Sequence, residues 1–156
     1  MSKYAERTTV SSDQSKAEIE RTLSRYGATG FMYGWDETSA VIMFKTSERQ
    51  VKFALPLPDR NDRAFTHTEV KKERRSPEST DKAYEQAVKQ RWRALALVVK
   101  AKLEAVETGI TGFDQEFMAH IVLPDGRTAG EVMIPEIALS YETGDMPPML
   151  PAPGGD

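Results

Sequence analysis

The side chains whose type and spacing could do chemistry in this sequence are basic. Lys71, Lys72, Arg74 and Arg75 crowd into one short run, KKERR. Lys82, Lys89, Arg93 and Lys100 follow at steps of 7, 4 and 7. At about 100° per residue on an α-helix those steps put all four on one line. Cations in a row can track a phosphate backbone, through contacts that ignore base sequence and weaken with salt. These eight residues form the candidate nucleic-acid-binding set; the plainer reading of the helical ridge is a solvated face. Phe31, Tyr33 and Trp35 alternate along a predicted strand. That pattern fits stacking platforms for unpaired bases, and it equally fits the core side of a sheet covered by a helix.

Other chemistry has less behind it. His120 near Asp114 and Glu116 fits a general base, but it lies in an apolar run where a histidine is usually a packing residue. No GxSxG, HExxH, Walker or GxGxxG pattern occurs. The chain has no cysteine, and its two histidines, His67 and His120, are far apart in sequence. No catalytic residue, metal ligand or cofactor is therefore assigned, and an enzyme is not the expectation. Lack of cysteine and of an apolar leader makes the cytoplasm the default setting. No apolar run approaches the roughly 18 residues of a membrane span.

The net charge of −3 conceals a polarised chain. Residues 60–103 hold 12 basic and 6 acidic groups, whereas residues 104–156 hold 1 basic and 10 acidic. The two blocks either neutralise one another within the fold or across a subunit contact, or they give two surfaces of opposite sign.

The element that must carry the ridge is a helix within Thr80–Glu107. Tyr84, Val88, Trp92, Leu95, Val99, Leu103 and Val106 recur at steps of 4 and 3, one apolar stripe that ends before Gly109. Ser76-Pro77 can start it. Ala83, Ala87, Ala94, Ala101 and Ala105, with Val98, make a second, small face, so the helix is expected to meet two neighbours and show the ridge to a third. Arg91 and Lys102 fall between the stripe and the small face, which marks them as candidates for an interface.

Around that helix the sequence predicts an α+β fold. Residues 1–14 are polar and expected to be flexible. Ser15-Lys-Ala-Glu18 matches a capping box, giving a first helix over about 16–26 that stops at Gly27. Three short strands follow, alternating about Phe31–Trp35, Ala40–Thr46 and Val51–Leu55, an antiparallel meander. Residues 56–79 form a long polar, basic loop. Beyond Gly109, Phe113 and Phe117 fit a short helix, while 118–123 fits helix or strand. Thr128-Ala-Gly-Glu131 is a second capping box, with Gly130 and Pro135 expected to leave its helix short or kinked. One domain spans 15–145, and 146–156 is a Pro/Gly-rich tail.

Three segments, SKAEIERTLSRYGATGFMYGW, QRWRALALVVKAKLEAVETGIT and HIVLPDGRTAGEVMIPEI, resemble a family of small uncharacterised proteins encoded by bacteriophages and prophages. The resemblance runs from about Ser15 to Leu150 and implies a bacterial-cytoplasm, mobile-element setting. The order of helix, meander, basic loop and long helix is similar to the core of phage single-strand-annealing recombination proteins, which bind unpaired DNA on oligomeric rings. That likeness is one of element order alone.

The expectation is a non-enzymatic DNA-metabolism protein that binds nucleic acid, with single-stranded DNA favoured, as a homo-oligomer. The alternative is a protein-interaction module, an inhibitor or adaptor of a host protein acting through the acidic third. Clustering of Glu104, Glu107, Asp114, Glu116, Glu131, Glu136, Glu142 and Asp145 on one face would favour it, and scatter would sink a DNA-mimic version.

Overall fold

The computed structural model describes residues 3–146, with side chains from Ser12 onward. In order it has α1 (Lys3–Arg25), β1 (Gly30–Trp35), β2 (Ser39–Lys45), β3 (Gln50–Pro56), α2 (Arg63–Thr66), α3 (Pro77–Glu107), α4 (Phe113–Phe117), a 3-10 turn (Met118–His120) and α5 (Ala129–Thr143). The α+β expectation holds. The strands pair antiparallel in the order β1-β2-β3, with Phe31, Tyr33 and Trp35 opposite Phe44, Ile42 and Ala40. Because strand side chains alternate, those six residues share one face with Val51, Phe53 and Leu55. Helices α1 and α3 cover that face, and a single core joins Ile19 and Leu23 of α1 to Ile42, Phe44, Val51, Phe53 and the α3 stripe.

Helix α3 forms as its spacing predicts. The Ser76 hydroxyl accepts from the Ser79 N–H, Pro77 occupies the first turn, and the chain leaves the helix through Gly109 at φ +81°. Tyr84, Val88, Trp92, Leu95, Val99 and Leu103 are all buried. The small face behaves differently. Ala94 and Ala101 are exposed, as is Val98, while Ala83, Ala87 and Ala105 are half-buried, so among the described residues the middle of this face is left open.

Elsewhere the structure departs from or refines the expectation. Helix α1 starts at Lys3, well before the matched capping box, so residues 3–14 are helical and Ser15 lies inside the helix. The physical reason is that its buried stripe continues in polar residues: Ser12, Lys16 and Thr22 are buried beside Ile19 and Leu23. Apolar periodicity cannot register those members. The 56–79 connection is also locally ordered. Asp62 caps α2, His67 and Arg74 pair as an isolated antiparallel bridge, and Phe65 meets Tyr84 edge-on at 5.6 Å. Finally, 118–123, open between helix and strand, divides: Met118–His120 is a 3-10 turn and the rest is extended. After the 3-10 turn, Ile121 bridges to Val51 and Val122 to Thr128. Of the tail expected at 146–156, all but Met146 lies outside the described residues.

The C-terminal segment locks onto the sheet through Phe117, which is fully buried. It meets Phe44 and Phe53 edge-on at 5.8 and 6.3 Å and stacks on Phe113 at 4.7 Å. Helix α5 then begins with the capping box as predicted, the Thr128 hydroxyl accepting from Glu131 N–H and the Glu131 carboxylate accepting from Thr128 N–H. It runs 15 residues through Pro135 rather than stopping short. Gly130 is there for proximity: a Cβ at that position would stand 2.7 Å from the Ala119 carbonyl oxygen.

Replacing Phe117 by Ala is expected to cost about 3–5 kcal/mol in urea denaturation, the range for emptying an aromatic site in a packed core. Gly130→Ala must push α5 off the 3-10 turn, a loss of about 1–3 kcal/mol by the same measurement; an unchanged midpoint would show that the approach is slack.

Candidate nucleic-acid interface

The predicted basic residues resolve into two groups. Lys82, Lys89, Arg93 and Lys100 are all exposed on α3, and none makes an ion pair among the described residues. Their line runs about 27 Å, at 1.5 Å rise per residue. Between Lys82 and Lys100 the acidic residue of α3 is Glu85, which is half-buried and lies toward the core side of the helix. The ridge is therefore an uninterrupted outward positive face.

The second group belongs to the 57–76 connection. Thr68 N–H donates to the Glu73 carbonyl and Arg75 N–H to the Thr66 carbonyl, at 2.9 and 2.7 Å. This closes a turn that presents Lys71 and Lys72 to solvent, with Lys72 at φ +57°. Arg74 is exposed and Arg75 half-buried. The connection is pinned by Phe65 on Tyr84 and by the Arg60 Nε donating to Asp81 at 2.6 Å. Tyr84 and Asp81 lie about 100° or more around α3 from the ridge. The turn and the ridge are thus two separate basic surfaces anchored on different sides of one helix.

Arg91 and Lys102 have partners inside the chain. Arg91 Nη1 donates to the Pro56 carbonyl at 3.1 Å. Lys102 Nζ donates to the Glu116 carboxylate at 3.1 Å and to its carbonyl at 3.2 Å. Each ties α3 to a neighbouring element, which accounts for a charge at the edge of the apolar stripe without a subunit contact.

The aromatic strand follows its core-side reading only in part: Phe31 packs against the core, while Tyr33 and Trp35 are each 42% exposed. Tyr33 meets Trp92 edge-on at 6.5 Å, and the Lys16 ammonium lies over both rings, 4.6 Å from Tyr33 and 4.9 Å from Trp92. Burial lowers the Lys16 pKa, with Asp13 opposing. This cation between two rings joins α1, β1 and α3, and composition gave no signal for it; its i, i+3 offset from Ile19 was the available clue. The reverse of the sheet was also overlooked. Met32, Val41, Met43, Lys45 and Lys52 share it by alternation, and it carries no acid.

The groups that could have been catalytic are engaged in packing and pairing. Asp114 accepts two bonds from Arg49, both at 2.8 Å. Glu116 accepts from Lys102 and Thr111, which lower its pKa. A cavity of about 610 Å³ opens at the C-terminal end of α3, floored by Leu23, Phe44, Leu103 and Phe113 and rimmed by Arg49 and Asp114, which neutralise one another. No helix of the described residues is long and apolar enough to cross a membrane.

His120 stacks on Phe53 at 4.0 Å, 20° from parallel. Burial, then the Lys102 charge, holds its pKa below the usual 6.5. As pH falls the unfolded chain takes up this proton first, so the contribution to stability is complete above 6.5 and is lost below it, toward the folded value. The stability difference between wild type and His120→Phe, from urea midpoints at several pH values, should shrink in wild type's disfavour as pH drops through that window. A difference independent of pH would assign the acid-side loss elsewhere, with His67, also lowered by burial, as the next group to replace.

Matched against protein-family models, curated proteins and solved structures, the chain finds no counterpart, so the surface has to be interpreted from its own residues.

Proposed function

We propose that this chain is a non-enzymatic nucleic-acid-binding protein whose phosphate-contacting surface is the outward ridge of α3. The observation that carries the reading is the alignment of Lys82, Lys89, Arg93 and Lys100, exposed and free of ion pairs among the described residues. A rigid helix holds these cations at fixed spacing, which suits a polyanion better than a compact ligand. Lys71, Lys72, Arg74 and Arg75 supply a second contact region, reached by a nucleic acid that passes over the N-terminal end of α3. The setting we infer, phage or prophage DNA metabolism in a bacterial cytoplasm, rests on the family resemblance. A role in single-strand annealing rests on element order, and Tyr33 and Trp35, each 42% exposed, keep part of their surface open.

The acidic third lends less support to an inhibitor or adaptor that mimics DNA. Its carboxylates are spread over α3, α4 and α5, and Asp114, Glu116 and Glu131 are held by local partners. On α5, Glu136 is half-buried and turned away from Glu131 and Glu142.

The test is fluorescence anisotropy of labelled single- and double-stranded oligonucleotides, titrated at several salt concentrations. Wild type is expected to bind with an affinity that falls steeply with salt. Charge reversal of Lys89 and Arg93 together should weaken binding to every sequence, by roughly tenfold or more at low salt, and reduce the log–log salt slope by about two. Binding unchanged in that double variant would remove the ridge from the mechanism. Loss in a Lys71/Lys72 reversal alone would move the surface to the turn.

A further inference from the structure

The basic middle and the acidic third are barely joined inside one chain. Among the described residues Lys102–Glu116 is the ion pair that links them. Arg60–Asp81 and Arg127–Asp125 stay within their own blocks, and Arg49–Asp114 ties the acidic third to the meander. Most of the polarity is therefore left for another molecule to meet.

Helix α5 is where unmatched acidity and uncovered apolar surface coincide. Its sequence, AGEVMIPEIALSYET, has no base, and Gly130 is its buried residue. A helix this apolar all round is ordinarily enclosed. Instead its main contact among the described residues is with the 3-10 turn, and it turns Ile134, Ile137 and Tyr141 outward at steps of 3 and 4, with 62%, 44% and 88% of each residue exposed. Such a row is the anchor pattern of a helix that docks against another surface. Glu142 borders it, on one line with Glu131, whose carboxylate is engaged in the Thr128 cap.

Helix α3 offers the complement. On the side away from the core, Leu97 and Val98 are 61% and 44% exposed, with Ala94 and Ala101 low between them. Short side chains there let a second helix approach closely. Arg91 borders this patch on one edge, and Arg93 and Lys100 border it on the other. One chain thus shows two uncovered helix faces, one apolar with an acidic border and the other apolar with a basic border.

We infer that α5 of one copy docks on the outward Leu97–Val98 face of α3 in the next copy, with Glu142 toward the cations that border it. The two surfaces differ, so the contact is head-to-tail and repeats from copy to copy, ending in a closed ring or an open chain. It shares Arg93 and Lys100 with the nucleic-acid ridge, while Lys82 and Lys89 lie outside the patch and the assembly forms without a ligand.

Sedimentation velocity on the full chain, without nucleic acid, tests this. Wild type is expected to sediment as a species larger than a dimer, and to shrink as salt rises. Leu97→Asp and Ile137→Asp should each reduce it to the mass of one 17.5 kDa chain while circular dichroism is unchanged. Mixing the two variants is the decisive step. The Leu97→Asp chain keeps a working α5 and the Ile137→Asp chain keeps a working α3, so together they should form a species of two chains and no more. A monomeric wild type overturns the inference. So does a dimer broken by Ile137→Asp but not by Leu97→Asp, which would be α5 pairing with itself, and so does a mixture that stays monomeric. If either aspartate variant loses helix content, Leu97→Ser and Ile137→Ser take their place in the same mixing experiment.

Discussion

Burial of one face of α3 is the constraint on which the rest of the structure depends. The helix is 31 residues long, while the strands beneath it are six or seven residues each. At about 3.3 Å per residue those strands span roughly 20–23 Å, against about 46 Å of helix. The sheet cannot cover the stripe by itself. Helix α1 covers more of it through Ile19 and Leu23, the α2 connection covers its start through Phe65 on Tyr84, and α4 approaches its end through Lys102 and Glu116. The long connection and the short C-terminal helix, which look like accessories in the sequence, are the parts that finish the core.

The same constraint sorts the cations. A lysine on the inward side has to be compensated where it stands, and Lys16 is compensated by two aromatic faces at a three-way junction. Arg91 and Lys102, at the margins of the stripe, reach a carbonyl and a carboxylate on adjoining elements. The four outward cations have no such obligation. Their order along the helix costs little, because each is solvated, and it leaves a field that a polyanion can use.

What the sequence made legible follows from range. The α3 stripe, the meander, the Thr128 capping box and the αL exit at Gly109 are all set by residues a few positions apart, and all are present. The ridge was legible for the same reason, as a spacing of 7, 4 and 7. The start of α1 was hidden because local chemistry offered a decoy: Ser15 and Glu18 have the spacing of a cap, yet tertiary burial of Ser12 and Lys16 carries the helix through them. Gly130 looked like a helix breaker, because a sequence gives no hint that Ala119 will come within van der Waals reach. The separation of the 71–75 turn from the ridge was likewise invisible, since it depends on where Phe65 and Arg60 find their anchors.

The small face of α3 shows how a correct pattern can have an incomplete outcome. Its spacing predicts a second neighbour, and among the described residues none covers its middle. Exposed Val98, Ala94 and Ala101 are then a statement about what the isolated fold leaves unfinished. Helix α5 has the same property from the other direction, being too apolar for the company it keeps. Local patterning fixes which faces are apolar, and only the fold decides which of them are spent on the core. Among the described residues two are left over, with opposite charges at their borders, and that complementarity is what the proposed head-to-tail contact uses.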